Sequence, residues 1–437
     1  MDTSTRSLLE TETIQICQDL IRIPSVNFGD GKGDEKAIAD YVVKSLADAG
    51  IESTIYESAP GRCNVMARIK GSNPDRPGLV VHGHLDVVPV NADDWSVDPF
   101  GGEIIDGMLW GRGAVDMKNM DAMILATVRQ WSREGYIPPR DIVLAFFADE
   151  EAGSIYGSHW MVDKHPELFA GCSEAISEVG GFSVTVDAGK RLYMIETAEK
   201  GIHWMKLTAQ GRAGHGSVMN DENALTRLAQ AVAAIGNHQW PQRYSTTVKA
   251  LFKKVATVTG KSYDEKDLRP LLNELGFAAR MIGATLQNTA NPTMLEAGYK
   301  ANVIPGSASA VIDGRFIPGF EDELNETIKS LIGPYISVET ITRDKALEVP
   351  FEGDLVDAMC ASILREDPEA IPVPYLMSGG TDNKALAELG IIGYGFSPLK
   401  LDEDFDFMAM FHGVDERVPV EGLTFGVRVL KDFLENC

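Results

Sequence analysis

The sequence predicts an α/β protein in which a large domain with a mixed, substantially parallel sheet is interrupted by a smaller α+β unit. Three observations point there. The chain has 437 residues, too long for one ordinary core. Toward both ends, short apolar runs alternate with stretches of helical apolar spacing, the pattern of a sheet with parallel neighbours. Near residue 200 the pattern changes to alternating half-buried strands and two helices, and it reverts near residue 346.

In chain order, residues 8–22 carry Leu8, Leu9, Ile14, Ile16, Leu20 and Ile21 at helical spacing, and residues 34–49 carry Ile38, Tyr41, Val42 and Leu46. Gly50 stands where the second helix should stop. The runs 64–69, 78–81 and 142–147 are short and apolar, as buried strands are. Between the last two, Asp116 to Trp131 has helical spacing at Met120, Met123, Ile124, Thr127 and Val128. In the smaller unit, Ile202 to Ala209, Ala308 to Phe316 and Tyr335 to Thr342 read as strands. Asn223 to Ile235 and Asp322 to Ile332 read as helices. Residues 240–290 are irregular and read as a loop-rich insertion. Beyond 346, helices are expected near 353–365 and 382–389, on either side of Gly379-Gly380. The expected division is 1–198 and 346–437 for the large domain and 199–345 for the smaller one.

Composition excludes several classes. No apolar run approaches the length of a membrane span. The start, Met1-Asp2-Thr3-Ser4, lacks the basic and apolar stretches of a secretory signal. Cys17, Cys63, Cys172, Cys360 and Cys437 are scattered without a C-x-x-C, so neither a disulfide framework nor a cysteine zinc cage is expected. A reducing cytoplasm is the expected compartment. The formal net charge of -24 disfavours nucleic acid and anionic membrane as partners. Carboxylates grouped around divalent cations count as bare negatives in such a tally, so a small anionic substrate remains compatible.

Four segments carry chemistry. Val80-Val81-His82-Gly83-His84-Leu85-Asp86 delivers two histidines and an aspartate at the end of a strand, where open α/β sheets bind ligands. His84 and Asp86, two apart, suit a ligand imidazole steadied by a carboxylate, or a local hydrogen bond at a strand end. In Gly111-Arg112-Gly113-Ala114-Val115-Asp116-Met117-Lys118 the acid sits at a loop-to-helix junction. It can bridge two cations or simply cap the helix. Phe147-Ala148-Asp149-Glu150-Glu151 ends a strand in three acids, which needs cations or solvent. The functional reading has Glu151 bind metal and leaves Glu150 free as a general base. Ala175-Ile176-Ser177-Glu178 ends in another acid, and His412 lies far downstream. Together these side chains form a nitrogen and oxygen donor set suited to Zn, Co or Mn. The signatures G-x-S-x-G, H-E-x-x-H and G-x-x-x-x-G-K-[ST] are absent from the sequence.

The ordered set His84-Leu85-Asp86-Val87-Val88-Pro89, Gly111-Arg112-Gly113 through Asp116-Met117-Lys118, and Asp149-Glu150-Glu151 closely resembles the M20 family of metallopeptidases, over about residues 10 to 430. That group includes aminoacylases, glutamate carboxypeptidase, succinyl-diaminopimelate desuccinylase, acetylornithine deacetylase and carnosinase-type dipeptidases. The resemblance implies a zinc-peptidase-type catalytic domain with a ferredoxin-like lid over 199–345, through which two chains pair as a homodimer. It implies two divalent cations, zinc first and Co2+ or Mn2+ as substitutes, held by His84, Asp116, Glu151, Glu178 and His412 with Asp116 bridging. Asp86 would orient His84, and Glu150 would be the base for a water at the metals. His215, in Gly211-Arg212-Ala213-Gly214-His215-Gly216-Ser217, would polarise the scissile carbonyl from the partner chain. Asn302 and Arg315 would hold a substrate carboxylate, with backbone N–H groups from Gly379-Gly380-Thr381-Asp382, Gly380 and Thr381 in particular. Arg315 can also pair with Asp313 without touching substrate.

The expected activity is hydrolysis of an amide or peptide bond in an N-acyl amino acid or short peptide with a free carboxylate. Glu rather than Asp at position 178 resembles the acylase, deacetylase and carboxypeptidase members. The alternative within the class is a dipeptidase or aminopeptidase that needs a free amine. The alternative outside it is a metal- or carboxylate-binding protein without turnover, against which Glu150 argues, since it serves turnover and not binding.

Overall fold

The computed structural model describes residues 6–29, 31–186 and 189–437. Ser7 caps the first helix, Leu8–Ile21, in a reciprocal capping box with Glu10, and the helix buries Ile14, Ile16, Cys17, Leu20 and Ile21. Lys36–Asp48 is the second helix, and Gly50 follows it at a positive φ. The expected buried strands are Arg62–Ile69, Gly78–His84 and Ile142–Phe147, and the helix between the last two is Lys118–Glu134.

These strands lie in a mixed ten-stranded sheet. Ile142–Phe147, Gly78–His84, Cys172–Ser177 and Ile392–Gly395 run side by side in parallel, in that order. Ser53–Ala59 and Arg62–Ile69 extend one side antiparallel; Lys190–Glu199 continues the other, with Ile371–Met377 parallel to it. Ile142–Phe147 is apolar throughout, and Gly78–His84 is buried along its whole length, because both faces are covered. Leu79 and Val81 pack toward the helices Leu8–Ile21, Lys118–Glu134, Asp354–Glu366 and Val420–Asn436. Val80, one residue between them, packs on the opposite face with Val143, Ala145, Phe147 and Met161.

A second, separate core forms the smaller unit. Its antiparallel sheet runs Thr289–Ala297, Ser307–Phe316, Gly201–Gln210, Ile336–Asp344, with the helices Ala224–Gly236 and Glu321–Ile332 packed on it. Strand–helix–strand–strand–helix–strand in this order is the ferredoxin-like arrangement. In Gly201–Gln210 alternate residues are buried, including Met205, Leu207 and Ala209, so one face packs and the other is wetter. Thr289–Ala297 is largely exposed, which is why its sequence carries no strand alternation.

Residues 240–290 differ from the loop-rich insertion expected of them. They contain the helix Thr246–Thr259, a 3₁₀ segment Arg269–Ala278 and the short helix Ala279–Gly283. Val248, Leu251, Phe252, Val255, Leu271, Leu275 and Ile282 are buried in the core of the larger domain, not in that of the smaller unit. The chain therefore leaves the ferredoxin-like unit after its first helix, covers the large domain, and returns at Thr289. Phe252→Ala should destabilise the protein by about 3–5 kcal/mol in chemical denaturation, since Phe252 is fully buried in that contact. A loss typical of a surface substitution would mean that the segment is not docked.

Candidate active site

Three neighbouring parallel strands end at the same edge of the sheet, and each delivers acids or a histidine there. Gly78–His84 ends in His84, Ile142–Phe147 leads into Asp149-Glu150-Glu151, and Cys172–Ser177 leads into Glu178. Asp116 arrives from the loop ahead of helix Lys118–Glu134. Gly111 and Gly113 in that loop have φ values of 150° and 86°, courses that side chains rarely permit. His412 arrives from the turn after Phe407–Ala409 and also has a positive φ, as do Asp149 before Glu150 and Val179 after Glu178. Such conformations cost energy in non-glycine residues and are held in place by their surroundings.

The Asp116 carboxylate lies between the two histidines. His84 Nε2 is 3.0 Å from its Oδ1 and 3.6 Å from Glu178 Oε2. His412 Nε2 is 3.3 Å from Asp116 Oδ2 and 2.9 Å from Glu151 Oε2. His84, Asp116 and Glu178 form one group able to hold a cation, and Asp116, Glu151 and His412 form a second; each group offers ligand atoms within 4.8 Å of one another. Asp116 is common to both.

The electrostatics call for positive charge. Burial pushes Glu178 up to about 8, with Asp116 and Glu151 adding to the rise. Burial and Asp116 push Glu151 to about 6. Glu150 is held well above the carboxylate range by burial and by Glu178. Hydrogen bonds to Asp116 and Glu151 raise His412 to about 10. Burial would lower His84, but Glu178, Asp116 and Asp86 outweigh it and raise the imidazole well above its usual value. Glu151 Oε1 is buried without a partner. A donor set of imidazole nitrogens and carboxylate oxygens, with an orphaned oxygen among them, fits a pair of divalent metals.

Two residues that sequence reasoning did not assign, or assigned too narrowly, hold these groups. Asp86 sits with its backbone carbonyl 3.0 Å from His84 Nδ1 and its carboxylate farther off, at 3.6 Å, so the carbonyl makes the closer contact to the ring. The carboxylate instead accepts the backbone N–H groups of Glu150 and Glu151, each at 3.1 Å, and the Asn27 amide at 2.9 Å. It thus fixes the turn that presents both glutamates. Glu416, fully buried, accepts the backbone N–H groups of Gly113 at 3.0 Å and Val115 at 2.8 Å and pairs with Arg112 at 2.6 Å. It clamps the loop that carries Asp116. Its only sequence signal is proximity to His412.

The cavity above this cluster has a volume of about 620 Å³ and is lined by Asp116, Glu150, Glu151, Glu178, His412 and Gly380. Its other walls include Phe277, Arg280, Met281 and Ala284, from the segment between residues 240 and 290. Their spacing of three, four and seven residues is the signal of one helical face. His215, Asn302, Arg315 and Thr381 do not line the cavity. His215 is exposed on a two-residue ribbon paired with Val303, next to Asn302. Arg315 is held by Asp313 at 2.7 Å. The Thr381 N–H and hydroxyl are both taken by Glu199, at 3.0 and 2.6 Å, so they are not free to bind an anion.

Glu416→Gln should weaken metal affinity about 10–100-fold, measured by chelator competition, while the melting transition of the metal-free protein persists. Unchanged affinity would remove Glu416 from the clamp. Loading metal should also release protons. His412, raised to about 10, and Glu178, raised to about 8, are protonated at neutral pH and must give up their protons to bind a cation. Apparent zinc affinity should therefore strengthen as pH rises from about 6 to 9, and a flat profile in calorimetric titrations would contradict this.

The model of peptidase family M20/M25/M40 matches residues 80–436. The chain is 27% identical over 436 residues to an N-fatty-acyl-amino acid synthase/hydrolase of Bos taurus, a match covering 95% of this chain and 86% of that one. It is 27% identical over 417 residues to an aminoacylase-1 of Pongo abelii, covering 94% and 91%. Its fold matches that of an M20 family metallo-carboxypeptidase from Sulfolobus solfataricus with a TM-score of 0.75 at 18% identity, covering 97% of this chain and 99% of that one. With a shared acid between two histidines at the sheet edge and a family match over most of its length, the chain belongs to peptidase family M20/M25/M40 and is a hydrolase of that family.

Proposed function

We propose that the protein is a two-metal amidohydrolase that cleaves the amide or peptide bond of an N-acyl amino acid or short peptide bearing a free carboxylate. The observation that carries this reading is the Asp116 carboxylate, shared between two three-residue groups beside the otherwise unassigned Glu150. The names of the two relatives, an N-fatty-acyl-amino acid synthase/hydrolase and an aminoacylase-1, support the acyl amino acid class.

In this reading His84, Asp116 and Glu178 hold one cation and Asp116, Glu151 and His412 the other. Two bound divalent cations, with zinc the first choice, supply Lewis-acid polarisation of the carbonyl and make water more acidic. Glu150 accepts a proton from the water as its oxygen attacks the carbonyl carbon. It returns the proton to the nitrogen as the C–N bond breaks, giving a carboxylic acid and an amine, which exchange the remaining proton to become a carboxylate and an ammonium ion. Asp86 keeps Glu150 and Glu151 pointing to different tasks through their backbone N–H groups.

Glu150→Gln should lower kcat by about 10²–10⁴-fold with metal content retained, whereas Glu151→Gln should lower metal occupancy. Wild-type kcat in Glu150→Gln would sink the division of roles. N-acetyl amino acids should be turned over in preference to unblocked dipeptides assayed beside them.

His215 is exposed and outside the cavity of its own chain, which supports a role in a partner's site across a homodimer of ferredoxin-like units. His215→Ala should lower kcat roughly 10²–10³-fold with metal content unchanged. Mixing it with Glu150→Gln protein should restore part of the activity, because one mixed site holds both intact residues. No recovery despite demonstrated subunit exchange would place His215 outside the reaction in trans.

A further inference from the structure

The cavity wall formed by residues 277–284 is held in two different ways along its length. Its start is held by apolar packing, with Leu271, Leu275, Ala278 and Ile282 buried in the core of the large domain. Past Ile282 the backbone N–H groups of Ala284, Thr285 and Leu286 bond within their own turn, to Met281, Ile282 and Gly283. The side chain of Lys200 reaches across to this end. Its Nζ donates to the Ala284 carbonyl at 3.0 Å, the Gln287 carbonyl at 2.9 Å and the Thr289 hydroxyl at 3.2 Å.

Lys200 is fully buried, and these three acceptors are uncharged. Burial and Arg315 pull its pKa down to about 7, against which three acceptors, one for each ammonium proton, favour the charged form. An ammonium buried in this way is costly, and an aliphatic side chain would fill the space without that cost. What the lysine adds is the tie. Its backbone stands where the chain passes from the large sheet into the ferredoxin-like unit, between the strands Lys190–Glu199 and Gly201–Gln210. There its N–H donates to the Met377 carbonyl at 3.0 Å, and its own carbonyl accepts from Lys384 Nζ at 2.7 Å. Met377 and Ala284 both line the cavity, as does Gly380, whose backbone packs against the Lys384 stem. Lys200 does not line the cavity. A residue outside the cavity thus joins two of its walls to the passage between the units.

We propose that Lys200 is a positioning residue: its ammonium fixes the far end of the 277–284 wall to the passage between the two units, and so sets the shape of the cavity for a substrate that Lys200 does not touch. The consequence for turnover rests on the amidohydrolase reading; the fastening of the wall does not.

The test compares the zinc-loaded full chain with its Lys200→Met, Lys200→Gln and Thr289→Val variants. Lys200→Met keeps a stem without donors. It should speed hydrogen–deuterium exchange of residues 279–287 by about ten- to a hundred-fold, while exchange in the helix Lys118–Glu134 and zinc affinity in chelator competition stay at wild-type values. Lys200→Gln, which keeps an N–H pair for the same carbonyls, should recover part of the protection. Thr289→Val removes one acceptor and is the milder change. It should speed the same residues by less, and combined with Lys200→Met it should add nothing, as expected of two members of one network. With N-acetyl amino acids, Lys200→Met should raise KM and leave kcat, since the wall stands apart from the groups that break the bond. Unchanged exchange at 279–287 in Lys200→Met, or equal acceleration in Lys118–Glu134, would overturn the fastening. Should Lys200→Met not fold, the same comparison in Lys200→Gln and Thr289→Val decides. A fall in kcat at constant KM would overturn the bearing on substrate. Absent turnover by the wild type would refute the amidohydrolase reading, and the exchange comparison would still decide whether Lys200 holds the wall.

Discussion

The structure is organised around an electrostatic problem: Asp116, Glu150, Glu151 and Glu178 converge on one cavity at the edge of the sheet. Carboxylates so close cannot all ionise without compensation. Two histidines flanking Asp116 supply part of it, and their raised pKa values, like those of Glu151 and Glu178, record how much positive charge the cluster draws. The parallel arrangement makes the convergence possible, because neighbouring parallel strands bring their C-terminal ends to one edge. The helices on both faces supply the burial that makes the charges costly.

Holding such a cluster requires a rigid frame, and the frame includes buried ion pairs, in which Glu35 Oε1 and Oε2, Arg62 Nε and Arg112 Nε stay without hydrogen-bond partners among the described residues. Arg62 Nη2 lies 2.6 Å from Asp149 and 2.9 Å from Glu35, behind the turn that Asp86 fixes. Arg112 and Glu416 do the same behind Asp116. A third set ties the two units together. Lys384 Nζ donates to the carbonyls of Lys200 and Lys345, at 2.7 and 2.8 Å, the two places where the chain passes between the large sheet and the ferredoxin-like unit. It also lies 3.4 Å from Glu199, which in turn receives Thr381 from the glycine loop bordering the cavity. The loop and both crossings are therefore one connected structure, and its polar groups are used internally.

The segment 246–286 links the two units in an unusual order of chain and space. It is inserted in sequence into the smaller unit but belongs in space to the larger one, and it forms a wall of the cavity. His84, Glu151 and Glu178 lie at or after strand ends, whereas Asp116 comes from the loop ahead of Lys118–Glu134 and His412 from the turn at 407–412, which also lines the cavity through Met408 and Phe411.

The sequence by itself determined the alternation of strands and helices, the break near residue 200 with the return near 346, and the five side chains gathered around Asp116. These are local signals: apolar periodicity reports burial of a segment, and an acid or histidine at the end of an apolar run is conspicuous because it is costly there. Only the tertiary structure decided which polar groups meet. Glu416 clamps a loop some 300 residues earlier. Asp86 reaches His84 mainly through its carbonyl, Thr381 is consumed by Glu199, and Arg280 rather than Arg315 borders the cavity of this chain. Beyond the regular helix Thr246–Thr259, residues 269–283 looked irregular because they form a 3₁₀ segment broken at Gly276 and one short helix, and because their apolar face docks on a domain distant in sequence. Pairings across such separations leave no periodic trace in the chain; they are fixed when the sheet and its helices close around them.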